Sequence, residues 1–173
     1  MNRLLGATAF LAVPALDLGT KAWARSRLHE AQPLELLPFF DLTLSFNRGV
    51  SFGLFGTASS AWPVIVITAA ITVALAFWFC RTTRSGEQLA LALIVGGALG
   101  NLIDRVHRGA VTDFLDFHAA GWHWPAFNLA DTAIVCGAVW LLWHSLSPRN
   151  ETSTYHLSGA CPACYGTDFR LQR

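Results

Sequence analysis

Two aspartates stand among apolar and aromatic neighbours: Asp113 within Val111-Thr112-Asp113-Phe114, and Asp131 at the end of Phe127-Asn128-Leu129-Ala130-Asp131. Two carboxylates brought close in a low-dielectric site cannot both ionise easily, so they share a proton. Such a pair can take a proton from water as general base and return one to a leaving amine as general acid, which is the logic of aspartic proteolysis. This chemistry needs no metal, no cofactor and no nucleophilic Ser or Cys. The sequence has no His-Glu-x-x-His and no phosphate-binding glycine loop to suggest a different one.

Other polar residues fall into helical spacings around the two acids. Asn101, Asp104 and Arg105 lie at i, i+3 and i+4, so a helix presents all three on one side. They suit either an Asp–Arg pair with an amide cap or part of a catalytic site. Asn128 and Asp131 share a face in the same way, and Asp131 also suits the N-terminal acid that a helix dipole favours. Asp113 alone would pass as a solvated loop acid. Asp17 and Lys21 lie at i and i+4 in the favourable acid-first order. Gly96, Gly97 and Gly100 include a Gly-x-x-x-Gly spacing that signals close helix packing.

The elements that must position these groups are set by composition. Of 173 residues, 53% are hydrophobic and 13% charged, with mean hydropathy +0.42, which is too apolar for a soluble domain of this size. A net charge of +1 provides no field that would gather nucleic acid. The expectation is a membrane all-α protein with a small β element. Four spans are expected, at about 4–24, 62–80, 88–106 and 128–146, within a membrane-embedded domain at 1–147. Trp62 to Cys80 is free of charge and long enough to cross a hydrocarbon core of roughly 30 Å. The other three are apolar for most of their length and polar at one end. With four crossings those polar ends fall on the same side of the membrane.

Residues 4–24 continue through Asp17 and Lys21 without a small-x-small cleavage pattern, so they are expected to stay as a helix and not to be removed as a secretory signal. The positive-inside count ties, with Arg3, Arg81, Arg84, Arg149, Arg170 and Arg173 on one side and Lys21, Arg25, Arg27, Arg48, Arg105 and Arg108 on the other. Setting aside Lys21, Arg48 and Arg105 as site residues tips the balance towards cytoplasmic termini.

Phe40-Asp41-Leu42-Thr43-Leu44-Ser45-Phe46-Asn47 alternates apolar and polar, and Val50, Phe52 and Leu54 resume the pattern after Arg48-Gly49. This predicts an extracytoplasmic amphipathic β-hairpin or cradle over about 36–55, with its aromatic face towards lipid or the bundle. Trp122, Trp124, Pro125 and Phe127 mark an interfacial segment. Residues 148–173 form a polar tail, expected to be flexible and without a catalytic part; Cys161-Pro162-Ala163-Cys164 supplies at most half of a zinc shell. Cys80 and Cys136 are expected to be small packing residues, and His118 and His123 hydrogen-bonding fillers.

Five blocks together resemble a known family. They are Asp17-x-x-Thr20-Lys21, Asn47-Arg48-Gly49-Val50-Ser51-Phe52, Gly96 through Arg105, Val111-Thr112-Asp113-Phe114 and Phe127 through Asp131. In this order they resemble the bacterial lipoprotein signal peptidases (signal peptidase II), with Val50 and Thr112 where that family often has Ala and Val. The resemblance covers about Leu4 to Leu146. It implies a multi-pass aspartyl endopeptidase of the bacterial inner membrane, with its site near the periplasmic face and its termini cytoplasmic. It implies, as substrate, a prolipoprotein whose lipobox Cys carries diacylglyceryl, cut on the amino side of that Cys. Asp113 and Asp131 would be the catalytic dyad. Asn47, Asn101, Arg105 and Asn128 would hold substrate backbone or the dyad, with Asp17, Lys21 and Asp104 in support. The partners are then membrane lipid and lipid-modified precursors, and the enzyme a monomer.

A dialkyl-bearing peptide leaves the bilayer only by exposing roughly 0.8 kcal/mol of apolar surface per CH₂, so its protease must bring the acids to the lipid. The hairpin around Phe40 would then cover the substrate. Two other functions compete: a small proton- or ion-coupled transport protein, since intramembrane Asp, Asn and Arg also mark conduction paths, and a scaffold whose acids merely pair with Arg105, Arg48 and Lys21. Charges gathered at one margin and the lack of an inverted repeat speak against transport.

Overall fold

The structure is a computed structural model that describes residues 3–30, 32–49 and 62–146. Four helices carry most of the chain: α1 Arg3–Arg27, α2 Trp62–Arg81, α3 Ser85–Arg108 and α4 Leu129–Leu146. All four are long and apolar enough to cross a membrane. Between them lie β1 Leu34–Leu37, β2 Phe40–Asn47, β3 Val111–Ala119 and β4 Trp122–His123, paired antiparallel in the order β1-β2-β3-β4.

α3 is the axis of the bundle and packs against each of the other three helices. Its composition explains why. Ala90, Ala92, Gly96, Gly97 and Gly100 are buried along it, and without a hydrophobic drive between helices in lipid, such small residues let backbones approach for dispersion contact. A Cβ on Gly100 would collide with the Asp17 carboxylate of α1, and one on Gly96 would lie 2.9 Å from Val13. From α4, a Cβ on Gly137 would lie 2.7 Å from the Ala90 carbonyl of α3. The glycine spacing is therefore a packing device on two faces, and it brings the polar groups of α1 and α3 together. α3 stops at Gly109, whose left-handed φ of 73° lets its N–H close back on the Arg105 carbonyl at 2.8 Å. That turn feeds β3 directly off the end of the helix.

The expected strand at Phe40–Asn47 is β2. Its neighbours, however, are β1 and β3, while Val50, Phe52 and Leu54 of the expected hairpin lie outside the described residues. The alternation does not run unbroken either. Leu42 faces Leu115 and Ser45 faces Asp113, so β2 has one more residue than β3 over this stretch. Such a bulge flips every following side chain. Ser45 and Asn47 therefore share the face of Asp113, where an unbroken pairing would have put Leu44 and Phe46. Leu44 joins Ala24, Leu28 and Phe114 in a buried cluster that seats the sheet on the end of α1.

The run around Asp113, which alone would pass as a loop, is the nine-residue strand β3. Trp122 begins the short β4, and Phe127 bridges to Leu115. Cys80 and Cys136 depart from expectation: both are exposed on the outer surface of their helices, so neither fills the bundle interior. The tail with Cys161 and Cys164 lies outside the described residues.

Candidate active site

α4 begins with a reciprocal cap. Asn128 Oδ1 accepts the Asp131 N–H at 3.0 Å, and Asp131 Oδ2 accepts the Asn128 N–H at 3.2 Å, so each side chain satisfies a backbone donor that a helix start leaves open. This fixes both rotamers and leaves Asp131 Oδ1 and the Asn128 amide free to turn inward. Asn128 Nδ2 then donates to Asp113 Oδ1 at 2.6 Å, while Asp131 Oδ1 accepts from Asn101 Nδ2 at 2.8 Å. One amide thus touches both aspartates, which lie on different elements.

α1 and α3 brace this arrangement from beneath. Lys21 Nζ lies 2.8 Å from Asp17 Oδ2 and donates to Asn101 Oδ1 at 2.7 Å. Asp17 Oδ1 accepts the Ala130 N–H at 2.9 Å, another open donor of the α4 start. Asp17, Lys21 and Asn128 are fully buried. Buried ions are tolerable only when paired and hydrogen-bonded, and here each is. Because Lys21 and Asn128 both bond Asn101 Oδ1, the amide of Asn101 must present its nitrogen to Asp131.

β2 supplies the remaining side. Asn47 Oδ1 accepts the Gly49 N–H at 2.8 Å, and the Asn47 amide stands close enough to the Asp113 carboxylate to favour its charged form. Gly49 takes a left-handed φ of 73° there and lies beside Arg105, whose buried Nε has no hydrogen-bond partner among the described residues. The Arg105 guanidinium lies within electrostatic reach of Asp131, Asp113 and Asp104. Asp113 is 3% exposed, and burial pushes its carboxyl up to about 6. The Asn128 hydrogen bond opposes that rise and the charge of Asp131 adds to it. Next to Asp113 opens a cleft of about 450 Å³ lined by Ser45, Asn47, Arg48, Gly49 and Pro125.

All nine residues singled out by spacing or resemblance gather at this end of the bundle. Asp104 differs from the rest in its targets: Oδ2 accepts the Thr112 N–H at 2.7 Å, and Oδ1 lies 3.4 Å from Arg25 and 3.3 Å from Arg108. It holds the chain entering β3 and touches neither Asp113 nor Asp131 directly. His118 and His123 are not in the site; they sit against Asp41 and Asp116 on the sheet. Arg25 and Thr112 were not legible as site residues. The available signal was the continuation of the Asp17, Lys21 spacing by one more helical turn to Arg25.

Gly49-Val50-Ser51-Phe52-Gly53 matches the Gly-x-Ser-x-Gly spacing of serine hydrolases. That spacing acts in a sharp strand-to-helix turn. Val50, Ser51, Phe52 and Gly53 lie outside the described residues.

The family model described as signal peptidase (SPase) II matches residues 9–147. A lipoprotein signal peptidase of Methylorubrum extorquens (strain PA1) is 42% identical over 158 residues, covering 89% of this chain and 92% of that one. One of Burkholderia thailandensis is 46% identical over 132 residues, covering 73% and 75%. Among solved structures, a bacterial membrane enzyme determined by the in meso method superposes with a TM-score of 0.72 at 29% identity, covering 82% of this chain and 92% of that one. The transport alternative finds no support among these relatives.

Proposed function

The chain belongs to the signal peptidase II family, and from that premise we propose that it is an aspartic endopeptidase that removes the signal peptide from diacylglyceryl-modified prolipoproteins, cutting on the amino side of the lipidated Cys. The observation that carries this reading is the Asn128 side chain and backbone joining Asp113 and Asp131, beside an open cleft. The pair holds one proton between them. The ionised carboxylate draws a proton from water as it attacks the scissile carbonyl, and the protonated one passes its proton towards the departing amine. Asn101 Nδ2 and the Asn128 N–H fix the Asp131 carboxylate and Asn128 Nδ2 fixes that of Asp113, so the reacting water is placed by rigid elements. Arg105, with its Nε unbonded among the described residues, is positioned to donate to a substrate carbonyl or to developing negative charge.

Placement at the margin of the spans suits a substrate whose acyl chains remain in lipid. The termini are then cytoplasmic, the site faces the periplasm, and the enzyme works as a monomer in the inner membrane. Purified protein in lipid, given a precursor with and without its diacylglyceryl group, tests the substrate assignment by mass spectrometry of the products. A product that begins with the lipidated Cys, formed only from the modified precursor and unaffected by a chelator, is expected. Cleavage at another bond, or equal cleavage of the unmodified precursor, would overturn it.

A further inference from the structure

We propose that Arg25 is a positioning residue for Asp113, acting through a clamp on Thr112. This rests on the reading of Asp113 and Asp131 as the dyad. Asp17, Lys21 and Arg25 recur at every fourth residue of α1 and so share one face. Each reaches a different part of the site: Asp17 the Ala130 N–H that opens α4, Lys21 the Asn101 side chain of α3, and Arg25 the Thr112 side chain of β3. The face thus works as a jig that sets three separate segments against one rigid helix.

Thr112 is gripped at two points. Its N–H donates to Asp104 Oδ2 at 2.7 Å, and its Oγ1 accepts from Arg25 Nη1 at 2.9 Å. Arg25 Nη1 also lies 3.4 Å from Asp104 Oδ1, closing a triangle in which Thr112 is fully buried and Asp104 3% exposed. Arg108 reaches the same carboxylate, but its side chain is 50% exposed, against 18% for Arg25. The inner guanidinium is therefore the one held still.

Neighbouring residues of a strand point to opposite faces, so a clamp on the Thr112 side chain sets the depth at which Asp113 projects on the other. Asp113 has no such anchor on its own face beyond the amides it shares with the chemistry. A displacement of about 1 Å in a reacting group costs about a hundredfold in rate, so partial loosening of this clamp is readable kinetically.

The test uses the full chain in lipid with a diacylglyceryl-modified precursor and the variants Arg25→Ala, Thr112→Val and Thr112→Ser. Valine keeps the shape and removes the hydroxyl; serine keeps the hydroxyl. Arg25→Ala and Thr112→Val should each lower kcat about tenfold with KM within about twofold, and Thr112→Ser should restore the rate. The double variant Arg25→Ala/Thr112→Val should be no slower than the slower single, because both remove one contact. An unchanged kcat in Arg25→Ala, or losses that multiply in the double variant, overturns the clamp. A control with Asp113→Asn separates the two readings. If that control still cleaves, the dyad fails, and the clamp is judged by deuterium uptake over residues 111–114: at least about tenfold faster exchange in Arg25→Ala upholds it and unchanged exchange refutes it.

Discussion

Among the described residues two pairs of aspartates invite comparison, and only one of them is the dyad proposed above. Asp41 and Asp116 are direct cross-strand partners on β2 and β3, closer in the sheet ladder than Asp113 and Asp131 are in sequence or element. Each has an imidazole beside it: His118 Nε2 lies 3.2 Å from Asp41 Oδ2, and His123 Nδ1 lies 2.8 Å from Asp116 Oδ2, with the two rings stacked at 4.9 Å. Among the described residues no group of such side chains is arranged to hold a metal ion. Asp113 and Asp131, in contrast, are fixed by amides from α3 and the start of α4, with Asn47 of β2 alongside, Lys21 and Arg105 behind them and a cleft in front. Proximity of two acids is therefore not what makes a site. In the sheet pair, local imidazoles can answer the acids' charge; in the candidate dyad, neutral amides set geometry without cancelling the charge, so the proton stays available for chemistry.

The sharpest break between the pairs is expected in rate. Asp113→Asn and Asp131→Asn should each lower kcat by at least about 10³-fold with the protein still folded in membrane, whereas Asp41→Asn should change it less than about threefold. Comparable losses at both pairs would erase the distinction. Next comes Lys21→Met, which leaves Asp17 buried and uncompensated. It should cost about 3–5 kcal/mol in denaturant unfolding, because the desolvation of the remaining charge is no longer offset. His118→Ala, which takes an imidazole that is 20% exposed from beside the buried Asp41, should cost less, about 1–3 kcal/mol in the same measurement.

The pH dependence sharpens the comparison further. Asp113 has its native value raised from 3.8 to about 6, so between these values the folded protein binds the proton that the unfolded chain has released. Its contribution to stability is full below about 3.8 and is lost as pH rises through about 6. Asp113→Asn should therefore flatten that decline. For activity, the form with one shared proton is depleted above the same value, so kcat/KM should fall on the alkaline side of about pH 6. A profile flat from 5 to 8 would contradict it.

Much of this was legible before any coordinates. Eight alternating residues marked β2, charge-free Trp62 to Cys80 marked α2, and polar ends on three other apolar runs foretold one shared site. The strand that carries Asp113 was not legible, because Val111, Thr112, Asp113 and Phe114 are all buried and so show no alternation. Nor was the bulge between Leu42 and Ser45, since one extra residue in a pairing leaves no mark on either strand's own pattern. Asp41 and Asp116 were invisible as a pair for the same reason: register is a property of two strands together.

The shared proton can be observed directly by infrared titration of the carboxylic C=O stretch in lipid-embedded protein. A single protonated carboxyl titrating near pH 6 is predicted, lost in Asp113→Asn, moved to lower pH in Asp131→Asn where the neighbouring charge is gone, and unchanged in Asp41→Asn. A band indifferent to Asp131→Asn would contradict the account, because Asp113 would then be holding its proton alone.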